Sequence, residues 1–357
     1  MPSSIRDRTD PGNSQRDGGL HTEQTQRALG TSEIAVSALG LGCWAIGGRF
    51  SREGSAAGWG EVDDDQSAAG IRRGLELGVT FFDTADVYGT GLSETVLGEA
   101  LGAERDDVAI ATKFGNTFDE GSGRISGADA SPAYIRRACE ASLRRLGTDR
   151  IDLYQLHIGD LGRAEAEEAA AALEELCDEG LIRTYGWSTD DVERAGWWAG
   201  GEHCASIQHH LNVLEDAPEM IALCEREGLA SINRGPLAMG LLSGKFSAES
   251  RLPSDDVRGS GAAWLTAFDG EGRPRREFLD ALAAIREVLT SDGRTLVQGA
   301  LGWIWARSPR TIPIPGYKTV AQVQENAGAL AHGPLPAESL EEIDALLGRA
   351  PTSSEAS

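Results

Sequence analysis

Two hydrophobic patterns alternate along most of the chain and define its predicted elements. Short apolar runs rich in β-branched residues are typical of buried strands, whereas longer segments such as 63–78, 131–147 and 164–180 repeat their apolar residues every three or four positions, as amphipathic helices do. Acidic or serine starts and glycine stops bound these helical segments. Eight strands are predicted, at residues 39–44, 79–84, 108–115, 152–157, 182–188, 205–210, 229–233 and 311–316.

Regular strand–helix alternation of this kind favours an α/β fold, and eight units favour a closed parallel (β/α)8 TIM barrel over an open sheet. One barrel domain is expected over residues 27–349, with polar, disordered tails at 1–26 and 350–357. Two segments depart from the strand–helix alternation. Residues 27–40 resemble a small β-hairpin that would plug the bottom of the barrel, and residues 246–275 form a long Gly/Pro-rich loop after strand seven, of the kind that often acts as a lid.

Composition narrows the possible functions. The formal net charge of −23 disfavours nucleic-acid and anionic-membrane partners. Five cysteines without CxxC spacing argue against a disulfide framework, and together with the absence of an apolar signal segment they favour a cytoplasmic protein. Only three of the 33 basic residues are lysines, at 113, 245 and 318, which suggests that an ammonium group is specifically needed at those positions.

Four polar residues occur at or just after the carboxyl ends of predicted strands, where barrel enzymes carry their chemistry. Asp83 follows GVTFF, Lys113 follows VAIAT, His157 follows LYQL, and Tyr88 lies in the loop after Asp83. If the barrel is correct, all four meet at one mouth. Singly, each has an ordinary structural explanation, such as a helix cap for the aspartate or a packed core position for the histidine; the combination favours a catalytic site.

These four residue types suit hydride transfer to a carbonyl. Negative charge builds on the carbonyl oxygen, so a proton donor must point at it. Tyrosine is a weak acid, but a neighbouring lysine ammonium favours the phenolate and lowers the tyrosine pKa, and an aspartate can hold that lysine in place. Tyr88, Lys113 and Asp83 can fill these roles, and His157 can orient the substrate oxygen.

The segments FFDTADVYG, ATKFG and LYQLH resemble the three motifs that carry the catalytic Asp, Tyr, Lys and His of the aldo-keto reductases. LGLGCWAIGG, GWS, the strand containing Gln208, GPLAMGLLSGKF and IPIPGYKTVAQVQENAGAL resemble further blocks of that family in the same order, over residues 27–330. The resemblance implies reversible reduction of a small aldehyde or ketone by NADPH. No GxGxxG opens a helix, so a Rossmann domain is not expected.

The resemblance also implies a set of cofactor contacts across the barrel mouth. Ser188 and Gln208 match the residues that bind the nicotinamide carboxamide, Arg234 occupies a position where most relatives place an aromatic ring, and Lys318 is expected to read the 2′-phosphate that distinguishes NADP(H). The remaining expected contacts are Cys43, Trp44, Asp83, Thr189, Gly235, Pro236, Leu237, Gly240, Leu242, Lys245, Gly316, Gln322, Glu325 and Asn326.

The substrate pocket is expected to be walled by Trp44, Trp59, Tyr88 and His157, which leaves the identity of the carbonyl compound open. His203, Cys204, His209 and His210 resemble metal ligands, but neighbouring residues of a strand point to opposite faces, so no metal site is expected there.

Two other functions remain open at this point. Lys113 could form a Schiff base in an aldolase or lyase, although the cofactor-like blocks argue against it. The chain could also be a slow, cofactor-sensing regulatory subunit, because potassium-channel β subunits resemble the same family. The oligomeric state is not predicted.

Overall fold

The computed structural model describes residues 25–349, and its centre is an eight-stranded parallel sheet. The predicted tails therefore lie outside the described residues, except that Gln26 already belongs to a strand. In sheet order the eight strands are β3 (Leu41–Gly42), β6 (Phe81–Asp83), β7 (Ala109–Phe114), β10 (Ile151–Leu156), β11 (Ile182–Ser188), β12 (Cys204–His210), β13 (Ala230–Arg234) and β14 (Thr311–Pro313).

Backbone hydrogen bonds close this sheet into a barrel. The amides of Gly40 and Gly42 donate to the carbonyls of Pro313 and Pro315 at 3.0 and 3.1 Å, which joins the first strand to the end of the last strand and to the segment after it. A side chain at Gly42 would lie 2.7 Å from the carbonyl oxygen of Ile314, so the seam requires glycine there. The predicted (β/α)8 barrel and its eight strands are confirmed, with ends shifted by a few residues.

The predicted hairpin consists of β1 (Gln26–Ala28) and β2 (Ala35–Ser37), paired antiparallel. Leu29, Ile34 and Val36 pack against strand residues that point into the barrel, among them Phe81 and Leu153. The hairpin therefore closes the end of the barrel opposite the carboxyl ends of the strands, as predicted.

Helices surround the barrel and bury one face against it. They are α1 (Asp64–Glu76), α2 (Leu92–Leu101), α3 (Pro132–Leu146), α4 (Arg163–Asp178), α5 (Val192–Trp198), α6 (Pro218–Glu227), α7 (Arg276–Leu289), α8 (Leu296–Arg307), α9 (Val320–Gly328) and α10 (Ala337–Leu346). Local sequence sets several ends: Asp63 and Ser131 cap α1 and α3 through their side chains, and Gly147 ends α3 in the left-handed conformation. No helix among the described residues is long and apolar enough to cross a membrane.

A second, small sheet covers part of the barrel mouth. It contains β4 (Ser51–Arg52), β5 (Ser55–Ala56), β8 (Asn116–Asp119) and β9 (Arg124–Ala128), in the order β5-β4-β9-β8. The segment after Lys113, which was expected to be a loop, is thus a hairpin. Its sequence, NTFDEGSGRIS, has the turn glycines and alternation of a hairpin, so this element was predictable.

The long loop at 246–275 also lies across the mouth and is anchored at several points. Val257 donates its amide to the carbonyl of Gly58 at 2.8 Å, and Arg49 pairs with Asp255 at 3.1 Å. Farther along the loop, Thr266 donates to Glu215 at 2.6 Å. These contacts hold the loop over the same opening where the predicted catalytic residues emerge.

Candidate active site

Asp83, Tyr88 and Lys113 form one connected group at the carboxyl end of the barrel. Lys113 is completely buried, and its ammonium donates to Asp83 Oδ1 at 2.5 Å, to the carbonyl of Thr84 at 2.8 Å and to the Tyr88 hydroxyl at 3.2 Å. All three ammonium protons are therefore used. Because the Tyr88 oxygen accepts from Lys113, its own proton is free to be donated into the pocket.

Two glutamines that the sequence analysis did not assign to catalysis hold Asp83 in place. Gln208 Nε2 and Gln155 Nε2 donate to Asp83 Oδ2 at 2.7 and 3.1 Å, so both carboxylate oxygens are satisfied inside the barrel. Gln155 is fully buried on β10, two residues before His157. A glutamine two residues after Leu153, on the same inward face of the strand, was a usable sequence signal.

Burial and charge compete over the protonation of these groups. Burial disfavours the charged form of Lys113, but Asp83 and Tyr88 outweigh it, and the pKa of Lys113 is raised. For Tyr88, burial is the largest effect and raises the pKa, while Lys113 acts in the opposite direction. The expected lowering by lysine is thus present but is not the net result. Tyr88 is therefore protonated at neutral pH.

His157 completes the predicted group of four. Its ring meets that of Tyr88 edge-on, with centroids 5.8 Å apart. Burial, followed by the nearby cations Lys113, Arg234 and Arg52, holds the pKa of His157 well below its usual range, so the imidazole is neutral. Its backbone is fixed, since its amide donates to the carbonyl of Phe114 at 2.7 Å. A neutral imidazole beside a tyrosine hydroxyl can bind and orient a carbonyl oxygen.

Aromatic rings form one wall of the pocket above Tyr88. Trp44 stacks near Tyr88, with centroids 6.0 Å apart and planes 24° apart, and Trp59 meets Trp44 edge-on at 5.4 Å. Trp264, from the long loop, lies 6.0 Å from Trp44 and is 55% exposed. The two predicted tryptophans are in place, and the third was missed because only the fold of the loop brings it here.

A groove of about 1660 Å³ runs from this pocket across the barrel mouth. Most of the predicted cofactor residues line it: Trp44, Asp83, Ser188, Thr189, Gln208, Arg234, Gly235, Pro236, Leu237, Gly240, Lys245, Gly316, Lys318, Gln322, Glu325 and Asn326. Two predicted residues do not. Cys43, just after β3, and Leu242, in the irregular turn after β13, are fully buried and pack in the apolar core clusters.

Three cations from separate segments converge at one part of the groove. Lys245 follows β13, Lys318 follows β14, and Arg258 comes from the long loop; all three line the groove. Burial, and then the charges of the neighbouring cations, lower the pKa of Lys245, and burial also lowers that of Lys318. Arg258 pairs with Asp256 at 2.6 Å, and its guanidinium lies 4.5 Å from the centre of the Trp59 ring. Lysines 245 and 318 were predicted here; Arg258 was not, since its loop carried no pattern that fixed its position.

The residues expected near the nicotinamide have particular partners. Arg234, at the end of β13, forms an ion pair with Asp190. The Thr189 hydroxyl donates to the carbonyl of Gly159 at 2.8 Å, so it is committed to the protein backbone, whereas Ser188 has no such bond to the neighbouring loop. Asp190 was not singled out in the sequence, yet it partly neutralises the cation at the position where an aromatic ring is usual.

The four possible metal ligands seen in the sequence are separated, as the alternation of β12 predicts. His209 points away from the barrel interior, on the opposite face from Gln208, and contacts Ser231 Oγ at 2.7 Å; His210 contacts Glu215 at 2.8 Å, and Cys204 is buried in the core. His203 lies before β12 and contacts Glu174 at 2.6 Å.

Comparisons with known proteins agree with this architecture. The model of the Aldo/keto reductase family matches residues 38–347. YqkF, an uncharacterized oxidoreductase of Bacillus subtilis, is 31% identical over 305 residues, which are 85% of this chain and 90% of that protein.

Two solved structures are also similar. The holo form of the aldo-keto reductase AKR11C1 from Bacillus halodurans is 33% identical with a TM-score of 0.72, covering 90% of this chain and 96% of that one. An aldo-keto reductase from Klebsiella pneumoniae in complex with NADPH is 28% identical with a TM-score of 0.68, covering 92% and 96%. Sequence, barrel and site therefore lead to one conclusion: the chain belongs to the aldo-keto reductase family of oxidoreductases.

Proposed function

We propose that this protein reduces an aldehyde or ketone with NADPH, with Tyr88 as the proton donor. The observation that carries the proposal is the buried group in which Lys113 uses all three of its protons on Asp83, Thr84 and Tyr88. This arrangement leaves one mobile proton, that of the Tyr88 hydroxyl, directed at a pocket. It is the proton that a carbonyl oxygen needs as it gains negative charge.

The groove suits a dinucleotide phosphate in its donor chemistry. Lys245, Arg258 and Lys318 come together on a chain whose net charge is −23, and no neutral ligand would require three cations in one place. Asn326, Glu325 and Gln322 line the same end and offer hydrogen bonds to a base or ribose. Lys318 and Arg258 are the residues we assign to the phosphate that distinguishes NADPH from NADH; the family relative from Klebsiella pneumoniae that binds NADPH supports this choice.

When bound, NADPH supplies the hydride; the chain's own residues supply position and protons. Ser188 and Gln208 face the groove beside Asp83 and would fix the nicotinamide amide. The neutral His157 ring and the Tyr88 hydroxyl hold the carbonyl oxygen from two sides, and Tyr88 donates its proton to that oxygen. Lys113 then stabilises the phenolate that remains, because its ammonium lies 3.2 Å from the oxygen.

Burial of Tyr88 and the cation beside it have opposite effects that suit a reversible reaction. Because burial keeps the pKa of Tyr88 raised, the hydroxyl is protonated before reduction. In the reverse direction the residue must accept a proton from an alcohol, so alcohol oxidation should accelerate as the pH rises, whereas carbonyl reduction should change little between neutrality and mild alkali.

The Schiff-base alternative conflicts with the state of Lys113. A lysine nucleophile must be neutral and have a free lone pair. Here the ammonium donates three hydrogen bonds in a fully buried site, and its pKa is raised.

The proposal is tested by following NADPH oxidation across a panel of aldehydes and ketones with the wild type and Tyr88→Phe. The phenylalanine variant should bind NADPH with unchanged affinity, measured by cofactor fluorescence, and lose turnover by roughly 100- to 10,000-fold. Full turnover in Tyr88→Phe would overturn the assigned mechanism. Tight NADPH binding by a wild type that reduces no carbonyl of the panel would instead favour a cofactor-sensing subunit.

A further inference from the structure

Four of the five arginine and lysine side chains that line the groove fall into two sets. Arg234 and Arg258 are paired with Asp190 and Asp256, and the two lysines lie toward the end assigned to the cofactor phosphates. Arg52 belongs to neither set. It lines the groove on the catalytic side, together with His157, Tyr88 and Trp44.

The small sheet over the mouth points Arg52 into the pocket. In β4 and β9, Arg52 pairs with Ile125 and Ser51 pairs with Arg124. Paired residues face the same side of a sheet, and neighbours face opposite sides. Arg52 and Ile125 both line the groove, whereas Ser51 and Arg124 do not. Ile125 packs in the apolar cluster that contains Trp44 and Tyr88, which places Arg52 at the rim of the same pocket.

Arg52 is connected to the catalytic histidine through one neutral residue. Its Nη2 donates to Asn116 Oδ1, and the other end of that buried amide donates to the backbone carbonyl of His157 at 3.3 Å. The charge of Arg52 reaches the imidazole, because it is one of the cations that depress the pKa of His157. The guanidinium is thus oriented by an amide that leaves its charge uncompensated.

Within residues 25–349, no carboxylate forms an ion pair with Arg52. Glu53 is adjacent in sequence, but it lies in the turn of the β4–β5 hairpin with φ of +49° and makes no ion pair with Arg52. The chain has 56 acidic and 33 basic residues, so an arginine at the pocket without a carboxylate partner is unexpected. Hydrogen-bond donors of its guanidinium remain for an additional acceptor.

We propose that Arg52 binds a carboxylate of the substrate, so that the preferred substrates are aldehydes or ketones carrying a carboxylate. This inference rests on the proposed function, which it deepens by naming the substrate class. A guanidinium binds a carboxylate through parallel N–H···O bonds, and a single uncompensated charge suits a single negative charge. The aromatic wall of Trp44, Trp59 and Trp264 accommodates the apolar body between the carboxylate and the carbonyl.

The test compares two aldehydes of nearly the same shape, 4-carboxybenzaldehyde and the neutral 4-carbamoylbenzaldehyde. Wild-type enzyme should show the higher kcat/KM for the carboxylate. In Arg52→Gln this preference should fall roughly three- to tenfold, through KM rather than kcat, since the arginine is exposed and its contact is partly screened. Arg124→Gln is the matched control: it removes the same charge from the paired strand, on the face turned away from the groove, and should keep the wild-type preference.

A preference that is unchanged in Arg52→Gln, or that falls equally in Arg124→Gln, would overturn the proposal. Raised salt should weaken the wild-type preference and leave that of Arg52→Gln unaltered. The proposed function fails separately if the wild type reduces no carbonyl of the wider panel; whenever neither of these two aldehydes is reduced, the anion site is measured without turnover. In that case benzoate is titrated by calorimetry into protein saturated with NADPH. It should bind the wild type and Arg124→Gln more tightly than Arg52→Gln, whereas benzamide should bind all three with equal affinity. Equal benzoate affinities would refute the site.

Discussion

Replacing Lys113 by methionine tests the electrostatic account of the buried site most directly. Methionine has a similar length and no charge, so packing changes little. The substitution leaves Asp83, which is 2% exposed, without its partner at 2.5 Å, and leaves the Thr84 carbonyl without a donor. Two amide donors remain on the other carboxylate oxygen.

The loss of unfolding free energy depends on whether the Asp83 carboxyl stays charged or takes up a proton. Removing one member of a buried ion pair costs about 3–5 kcal/mol of unfolding free energy. The carboxyl can limit this by taking up a proton, which costs about 4 kcal/mol at pH 7 for an ordinary aspartic acid. We therefore expect Lys113→Met to lower the unfolding free energy by about 3–4 kcal/mol at pH 7, or Tm by about 6 °C for a barrel of this size.

Two features of this prediction separate it from a simple packing defect. The cost should shrink by about 1.4 kcal/mol for each pH unit below 7, because proton uptake becomes easier. The double variant Asp83→Asn/Lys113→Met should recover most of the lost stability, since no charge remains buried, while staying inactive. Urea unfolding at pH 7 and pH 5 measures both effects. A single variant as stable as the wild type, or a loss that does not depend on pH, would refute the reasoning.

Three further outcomes are expected. Gly47→Ala should reduce kcat at least tenfold and leave NADPH affinity unchanged, because the added Cβ would lie 2.7 Å from the backbone of Tyr88. Gly196→Ala is the control: its added Cβ would meet no atom within 4 Å, so this variant should match the wild type in both assays. Arg258→Gln should raise the NADPH dissociation constant about tenfold in fluorescence titrations, as expected for one lost charged hydrogen bond, and should narrow the preference over NADH. Burial raises the pKa of Glu215, but hydrogen bonds from the His210, Thr266 and Asn212 side chains outweigh it and lower that pKa to about 2. Glu215→Gln should therefore lower the unfolding free energy, measured by urea unfolding, by about 1–3 kcal/mol above pH 4.5. This difference should disappear as the pH falls toward 2.

The order of the elements and the proximity of Asp83, Lys113 and His157 were readable from the sequence for a local reason. Strand periodicity and helix caps depend on neighbouring residues, and in a parallel barrel every strand ends at the same mouth. Once FFD, AIATK and LYQLH were recognised as strands, Asp83, Lys113 and His157 had to meet. The same reasoning correctly separated His209 from His210.

The sequence predicted individual cofactor contacts less accurately at positions that lie outside the strands. Cys43 and Leu242 lie within motifs that border the groove, yet their side chains turn into the core. A motif identifies a segment, whereas the direction of each side chain depends on the local backbone. Residues 238–243 form an irregular turn in which three residues have positive φ.

Only the tertiary structure decided the features that depend on distant contacts and on burial. Arg52 meets Asn116 across 64 residues, and Arg258 and Trp264 reach the mouth through a loop whose own sequence has no periodicity. The direction of the Tyr88 pKa likewise could not be read from the chain: the lysine predicted to lower it is present, but the surrounding barrel removes water from the phenol, and desolvation is the larger effect. The sequence determines which groups can meet at the barrel mouth, whereas burial in the folded interior determines how far the pKa of each group is shifted.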